Sequence, residues 1–302
     1  MINMLEILFS EHTLNSGISL ATPILLCAMG GAICSKAGNF NIALEGFMLI
    51  GAFFGVVGSY FLHSAFLGVI FAMTASMLFA LLYGVFHAHF KAHEIILGFG
   101  FNMLAIALTG WLLSPVFGGK GSFYDPTTPT LSKIVLPWIS DVPVLRTLSG
   151  HNIIVYLSWL LILVLYIFMY KTPMGYKIRA IGENPKALVA TGLSVKKHFF
   201  IAEALTGLLC GLAGAFLSIG NLSMFTENMT AGRGFIAVAA VGFSGGFLPV
   251  TALASILFGL ANGVAIQLQG LGFPTQIIDM IPYLLTIIMI VPYALRQRKK
   301  ML

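Results

Sequence analysis

Charge is what this sequence has least of. Of its 302 residues 9% are charged, with 16 Lys and Arg against 10 Asp and Glu. Soluble domains carry about 25% charged residues. A chain that is 58% hydrophobic, with mean hydropathy +0.96, is therefore an integral membrane protein. Cysteine is scarce as well. Cys27, Cys34 and Cys210 lie in apolar or small-residue runs without CxxC spacing, which reads as buried, inert thiols and says nothing of redox compartment.

A nucleotide-binding loop is missing. GxxxxGK[ST] does not occur, and GGKGS at 118–122 lacks its spacing. If transport is driven by ATP, another chain hydrolyses it, so ATP and Mg belong to that partner and no cofactor to this chain. A secretory leader is not expected either. Residues 1–15 hold no Lys or Arg and are interrupted by Glu6 and Glu11, which suits a short interfacial helix. The pI near 9.3 does not imply nucleic acid, because the basic residues sit at the ends of apolar runs and not along one face.

What is present is a series of apolar stretches. A bilayer core needs about 20 apolar residues per helix. Nine candidates lie near 17–35, 41–61, 65–86, 94–114, 151–170, 198–219, 233–247, 249–268 and 279–295. The expected fold is all-α, a polytopic transmembrane bundle of about nine spans forming one domain over 1–302. Residues 46–90 lack any charged residue and should turn near Gly58–Ser64; residues 234–278 break at 244–249. The span at 233–247 is short enough to be broken or re-entrant. With the N-terminus outside and the C-terminus cytoplasmic, 12 of the 16 Lys and Arg fall on the inner side. Residues 115–150 then form one long outer loop, a docking surface or a plain connection.

Residues 171–197 are a polar island with six Lys or Arg and one acid. Asn184 is placed to cap a short helix, Pro185 to occupy its first position and Gly192 to end it. Positive-inside counting puts this island in the cytoplasm. A faint echo links 38–46 to 232–240; the two run in opposite directions, as an inverted repeat would.

Polar residues inside the spans are the candidates for a path. Asn41 and Glu45 share a helical face, Asn102 lies within the fourth span, and Asn262 and Gln269 share a face of the eighth. They would line a route for a hydroxyl-rich solute, or else bond neighbouring helices. Glu203, close after Lys196 and Lys197, reads as an interfacial salt bridge, and Arg233 as snorkelling to the outer surface. Gly207, Gly211 and Gly214 form a small-residue face for close helix packing. The cluster of His87, His89, His93 and Glu94 reads as a wet interfacial turn rather than a metal site.

Three segments together, 38–53 (GNFNIALEGFMLIGAF), 174–197 (MGYKIRAIGENPKALVATGLSVKK) and 231–249 (AGRGFIAVAAVGFSGGFLP), resemble the permeases of ABC importers in the branched-chain amino acid, ribose and nucleoside group. The likeness is greatest to the simple-sugar and nucleoside branch and runs from about residue 17 to the end. Lys36 and the pair Asn39-Phe40 depart from the family's usual Arg and Val-Val. The resemblance implies a bacterial plasma-membrane subunit importing nucleosides or simple sugars. Its implied partners are an ABC ATP-binding subunit, a second permease chain in a heterodimer or homodimer, and an extracytoplasmic solute-binding lipoprotein. It also implies that 183–192 is the coupling helix, engaging the ATPase through Gly182, Glu183, Asn184, Pro185, Ala187 and Gly192. An amino-acid permease of the same group, a stand-alone secondary transporter or channel, and an intramembrane enzyme remain as alternatives.

Overall fold

The computed structural model describes residues 11–135, 147–222 and 224–269. Seven helices among them are long and apolar enough to cross a membrane. In chain order the helices are α1 (Glu11–Lys36), α2 (Leu44–Leu62), α3 (Ala65–Phe90), α4 (Glu94–Phe117), α5 (Ile153–Lys171), α6 (Pro173–Glu183), α7 (Pro185–Ala190), α8 (Val195–Ala215), α9 (Arg233–Ser244) and α10 (Leu248–Gln269). A π-helical stretch, Phe216–Leu222, extends α8 to 28 residues. The expected span at 279–295 lies outside the described residues. Of the expected interfacial helix at 1–15, residues 1–10 lie outside the described residues and 11–15 belong to the start of α1.

Local chemistry sets the boundaries. Ser64 caps α3 by accepting the Leu67 amide, and the turn falls at His63, whose φ of 49° ends α2. Asn152 caps α5 through the Ile154 amide. Thr172 caps α6, with Pro173 in its first turn. Asn184 caps α7 through the Ala187 amide at 3.1 Å, Pro185 opens it, and Gly192 beyond it takes φ +77°.

The core is built from α1, α2 and α8, whose spans are 83, 78 and 72% buried, against 28% for α3, α4 and α5. Small residues let α8 approach α3 and α2 closely. A Cβ on Gly211 would lie 2.6 Å from the Ala72 carbonyl, one on Gly207 2.6 Å from the Met77 Cα, and one on Gly214 would collide with the Met48 carbonyl. The three cysteines are free and buried.

The stretch expected as a loop at 115–150 is more structured than that. α4 continues to Phe117, and two short antiparallel ribbons follow. In one, β1 (Ser122–Tyr124) pairs with β4 (Met224–Thr226); in the other, β2 (Lys133–Ile134) pairs with β3 (His151–Asn152). The ribbons mark one end of the bundle. The opposite end carries α6 and α7, which the polar island folds into as two helices and not one. Arg179 of α6 lies over the Tyr170 ring at the end of α5, 4.8 Å from its centroid, bracing the pair.

Candidate functional site

After α1 ends at Lys36 the chain does not turn straight into another full span. Gly38 adopts φ +86°, and residues 37–43 re-enter the bundle without helical structure before α2 begins at Leu44. Unpaired backbone groups in hydrocarbon are costly, so such a segment persists only where side chains satisfy it. Phe40 N–H donates to the Glu94 carboxylate at 3.0 Å, and Ala43 N–H to Asn41 Oδ1 at 2.7 Å. Asn102, reaching across from α4, accepts the Gly46 amide at 2.8 Å and donates to the Ile42 carbonyl at 3.0 Å.

The same problem arises 190 residues later, where α9 starts. At 12 residues, or about 18 Å at the usual rise, α9 is a half-length helix. Gly232, at its N-cap position, has no side chain to cap it. Glu45 supplies the cap from α2. One carboxylate oxygen accepts the Thr230 hydroxyl at 2.6 Å and the Gly232 amide at 2.8 Å; the other accepts the Gly234 amide at 2.5 Å. Glu45 is 2% exposed and Thr230 fully buried. The contact requires glycine, since a Cβ at 234 would lie 2.5 Å from the Glu45 backbone.

Two helix N-termini thus meet near the level of Asn102, with a carboxylate placed where both dipoles favour negative charge. From there α2 runs toward the ribbons, where Phe53 meets Phe225 of β4, and α9 runs toward the opposite end, where Gly246 packs on Ser35. The segments at 38–46 and 232–240 are the two that meet. Arg233, expected to snorkel to the outer surface, is half-buried. Its guanidinium turns back onto the Met229 and Thr230 carbonyls at 3.2 and 3.1 Å, because the turn before α9 leaves those acceptors open.

Glu203 departs from its expected interfacial salt bridge. It makes no interfacial pair with Lys196 or Lys197, which stay exposed. Six residues past Lys197 it lies about 9 Å deeper along α8, fully buried against the re-entrant segment. It accepts Asn39 Nδ2 at 2.5 Å and Asn41 Nδ2 at 3.2 Å. Beside it Thr206 bonds the Gly30 carbonyl, tying α8 to α1.

The re-entrant segment also touches the polar island. A Cβ on Gly182 would collide with the Lys36 carbonyl, and one on Gly38 would stand 3.1 Å from the Gly182 Cα. A cavity of about 480 Å³ opens here among Gly38, His87, Gly182, Pro185, Lys196 and Phe199. Glu183, Asn184, Pro185 and Ala187 are exposed at this end.

Of the path candidates, Asn41, Glu45 and Asn102 are gathered around the start of α2, all buried and all spent on holding the helix break. Asn262 and Gln269 lie apart, half-buried on α10, which packs on α1 where Gly259 meets Ala21 and Gly263 meets Gly17. The His cluster is dispersed in role. His93 caps α4, and His87 stacks on Phe199 with centroids 5.4 Å apart. Among the described residues no three His, Cys, Asp or Glu come together as a metal group. Sequence reasoning gave Thr230 and the Asn39–Glu203 pair no role; of the three residues only Asn39 lies within an echoed segment.

A bundle of membrane-crossing helices, interrupted by a re-entrant segment and a half-helix that meet at mid-depth, is the architecture of a membrane transporter. The chain belongs to the family described as branched-chain amino acid transport system / permease component, whose match spans residues 13–290. It is 33% identical over 282 residues to the guanosine ABC transporter permease protein NupQ of Bacillus subtilis, covering 89% of this chain and 87% of that one. It is 30% identical over 302 residues to the nucleoside ABC transporter permease protein NupC of Lactococcus lactis, with 96 and 92% covered. A putative glucose ABC transporter permease, TsgC13 of Haloferax volcanii, is 29% identical over 270 residues, with 87 and 79% covered. No solved structure matches the chain.

Proposed function

We propose that this chain is the permease subunit of an ATP-driven importer of nucleosides. The observation that carries the mechanism is the continuous chain of contacts from Gly182, through the segment at 37–43, to Glu45 and the start of α9. In this reading the exposed α6–α7 end faces the cytoplasm and an ATP-binding subunit. Closure of that subunit on ATP and Mg moves Gly182 against Gly38 and biases the bundle between two packed arrangements. A second, related permease completes the path, and an extracytoplasmic binding lipoprotein delivers solute at the ribbon end. The N-terminus is then outside the plasma membrane and the C-terminus in the cytoplasm.

Nucleosides are favoured because NupQ and NupC are named for guanosine and nucleosides; TsgC13 keeps simple sugars as the second reading. A stand-alone secondary transporter is disfavoured by Glu45 and Glu203. The deep carboxylates it would use for ion coupling are engaged in holding the fold, Glu45 by Thr230, Gly232 and Gly234 and Glu203 by Asn39 and Asn41.

The test is gentle-detergent purification of the tagged chain from native membranes, followed by reconstitution of whatever assembly is recovered. ATP-dependent uptake of guanosine, adenosine or uridine, with an ATPase and a second permease in the assembly, supports the proposal. A chain that purifies alone and carries solute on an ion gradient overturns it.

A further inference from the structure

With Asn41, Glu45 and Asn102 consumed by the helix break, the polar lining of the path has to come from elsewhere. Glu227, in the turn between β4 and α9, is exposed. Its backbone is anchored, donating to the Gly121 carbonyl at 2.9 Å. Its side chain lies along α4, where a Cβ on Gly110 would stand 3.6 Å from the carboxyl carbon and from one carboxyl oxygen. Gly110 precedes the end of α4 at Phe117 by seven residues, or about 10 Å. The carboxylate is therefore well inside the depth that α4 crosses, and among the described residues it accepts no hydrogen bond and meets no cation.

An unpaired carboxylate at that depth cannot face lipid without heavy cost; it faces water or a partner. The same side of α4 carries Phe99, Met103 and Ile106, spaced at three to four residues from Gly110 and all exposed. Phe99 meets Phe235 of α9, ring centroids 6.3 Å apart. One wall thus offers an acceptor-only carboxylate toward the ribbons, a sulfur and an aliphatic side chain below it, and an aromatic pair further in. A carboxylate accepts two hydroxyl protons at once, and aromatic and thioether groups suit the flat face of a base.

We infer that Glu227 is a solute-contacting residue of the path, accepting hydrogen bonds from the vicinal hydroxyls of a ribosyl group, with Phe99, Met103 and Phe235 forming the surface along which the base passes. The assignment rests on the nucleoside-import reading above.

The experiment uses the assembled transporter in proteoliposomes. The Glu227→Cys variant is exposed to a membrane-impermeant, cationic thiol reagent, and the Glu227→Gln and Glu227→Ala variants are assayed for uptake of guanosine, adenosine and uridine. Rapid labelling at position 227, with uptake lowered tenfold or more and ATP hydrolysis stimulated by the loaded binding protein retained, supports the inference. No labelling in the presence or absence of ATP overturns it, as does wild-type uptake by both variants. Loss of the second permease from the variant assemblies also overturns it, since Glu227 would then be an interface residue. If the wild-type assembly itself carries no nucleoside, the nucleoside reading and the ribosyl assignment fail together. That result is distinct from one in which wild type and variants transport nucleosides equally.

Discussion

The carboxylate of Glu45 accepts the backbone amide of Gly234, 189 residues further along the chain, at 2.5 Å. Glu45 is thereby a cap for a helix that cannot cap itself, and its loss should be felt first as instability. Hydrogen bonds to charged groups are worth about 1.5–3 kcal/mol each. Glu45→Gln keeps one acceptor oxygen but turns an N–H toward an N–H. A loss of about 3 kcal/mol is expected, or a Tm fall on the order of 5–10 °C, measured on the detergent-purified chain without solute. An unchanged Tm with a raised KM for uptake would return Glu45 to the path.

Gly182 and Gly192 make a contrasting pair in the polar island. A side chain at 182 runs into the Lys36 carbonyl, whereas nothing lies within 4 Å of a Cβ at 192. Gly182→Val should separate α6 from the re-entrant segment and reduce ATP-driven uptake at least tenfold in membranes that still hold the protein. Gly192→Asn, which tolerates the left-handed backbone, should cost under about 1 kcal/mol and little uptake. Equal uptake by the two variants would show that the Gly38–Gly182 contact transmits nothing.

Glu203 joins α8 to the re-entrant segment through Asn39 and Asn41. In Glu203→Gln one of those amide donors faces another donor, so the segment is held by α8 at a single point. ATP hydrolysis by the assembled transporter should persist while solute moved per ATP falls several-fold. A purely structural role predicts instead that hydrolysis and uptake fall together with the amount of folded protein, and that their ratio stays at the wild-type value.

Much of this was legible in the sequence because it is local. Caps and stops are written in adjacent residues, which is why the roles of Asn184, Pro185 and Gly192 can be read from the sequence. The seven long helices follow from apolar length, and the brevity of the segment beginning at Arg233 announced the half-helix. What escaped was pairing across the chain. Lys196 and Lys197 are near Glu203 in sequence, yet α8 carries the carboxylate away from them into the bundle, toward Asn39 and Asn41. Glu45 read as a path residue for the same reason: its partners lie in a turn 185 to 189 residues away. α6, the earlier helix of the polar island, is also signalled in the sequence, by Thr172-Pro173, a cap followed by a first-turn proline.

At the ribbon end, His151 offers a pH test. Its ring is buried, with Nε2 donating to the Thr147 carbonyl at 2.8 Å and Nδ1 accepting from Ser19 at 3.2 Å. Burial holds the imidazole below its ordinary pKa, the Thr147 carbonyl opposes this, and nearby Lys133 adds to it. A histidine whose pKa is depressed on folding contributes stability that is fully present above its unfolded pKa of about 6.5 and lost as pH falls through the lower folded value. Protonation would also leave Nδ1 donating toward a hydroxyl that now donates to it. Thermal stability of the purified protein should therefore drop between pH 7.5 and 5.5. His151→Gln, which keeps a donor for Thr147 without a titrating ring, should show a smaller drop over the same interval. If both proteins lose stability equally with acid, some other group sets the dependence, and the contact joining β3 to α1 is not the pH-sensitive element.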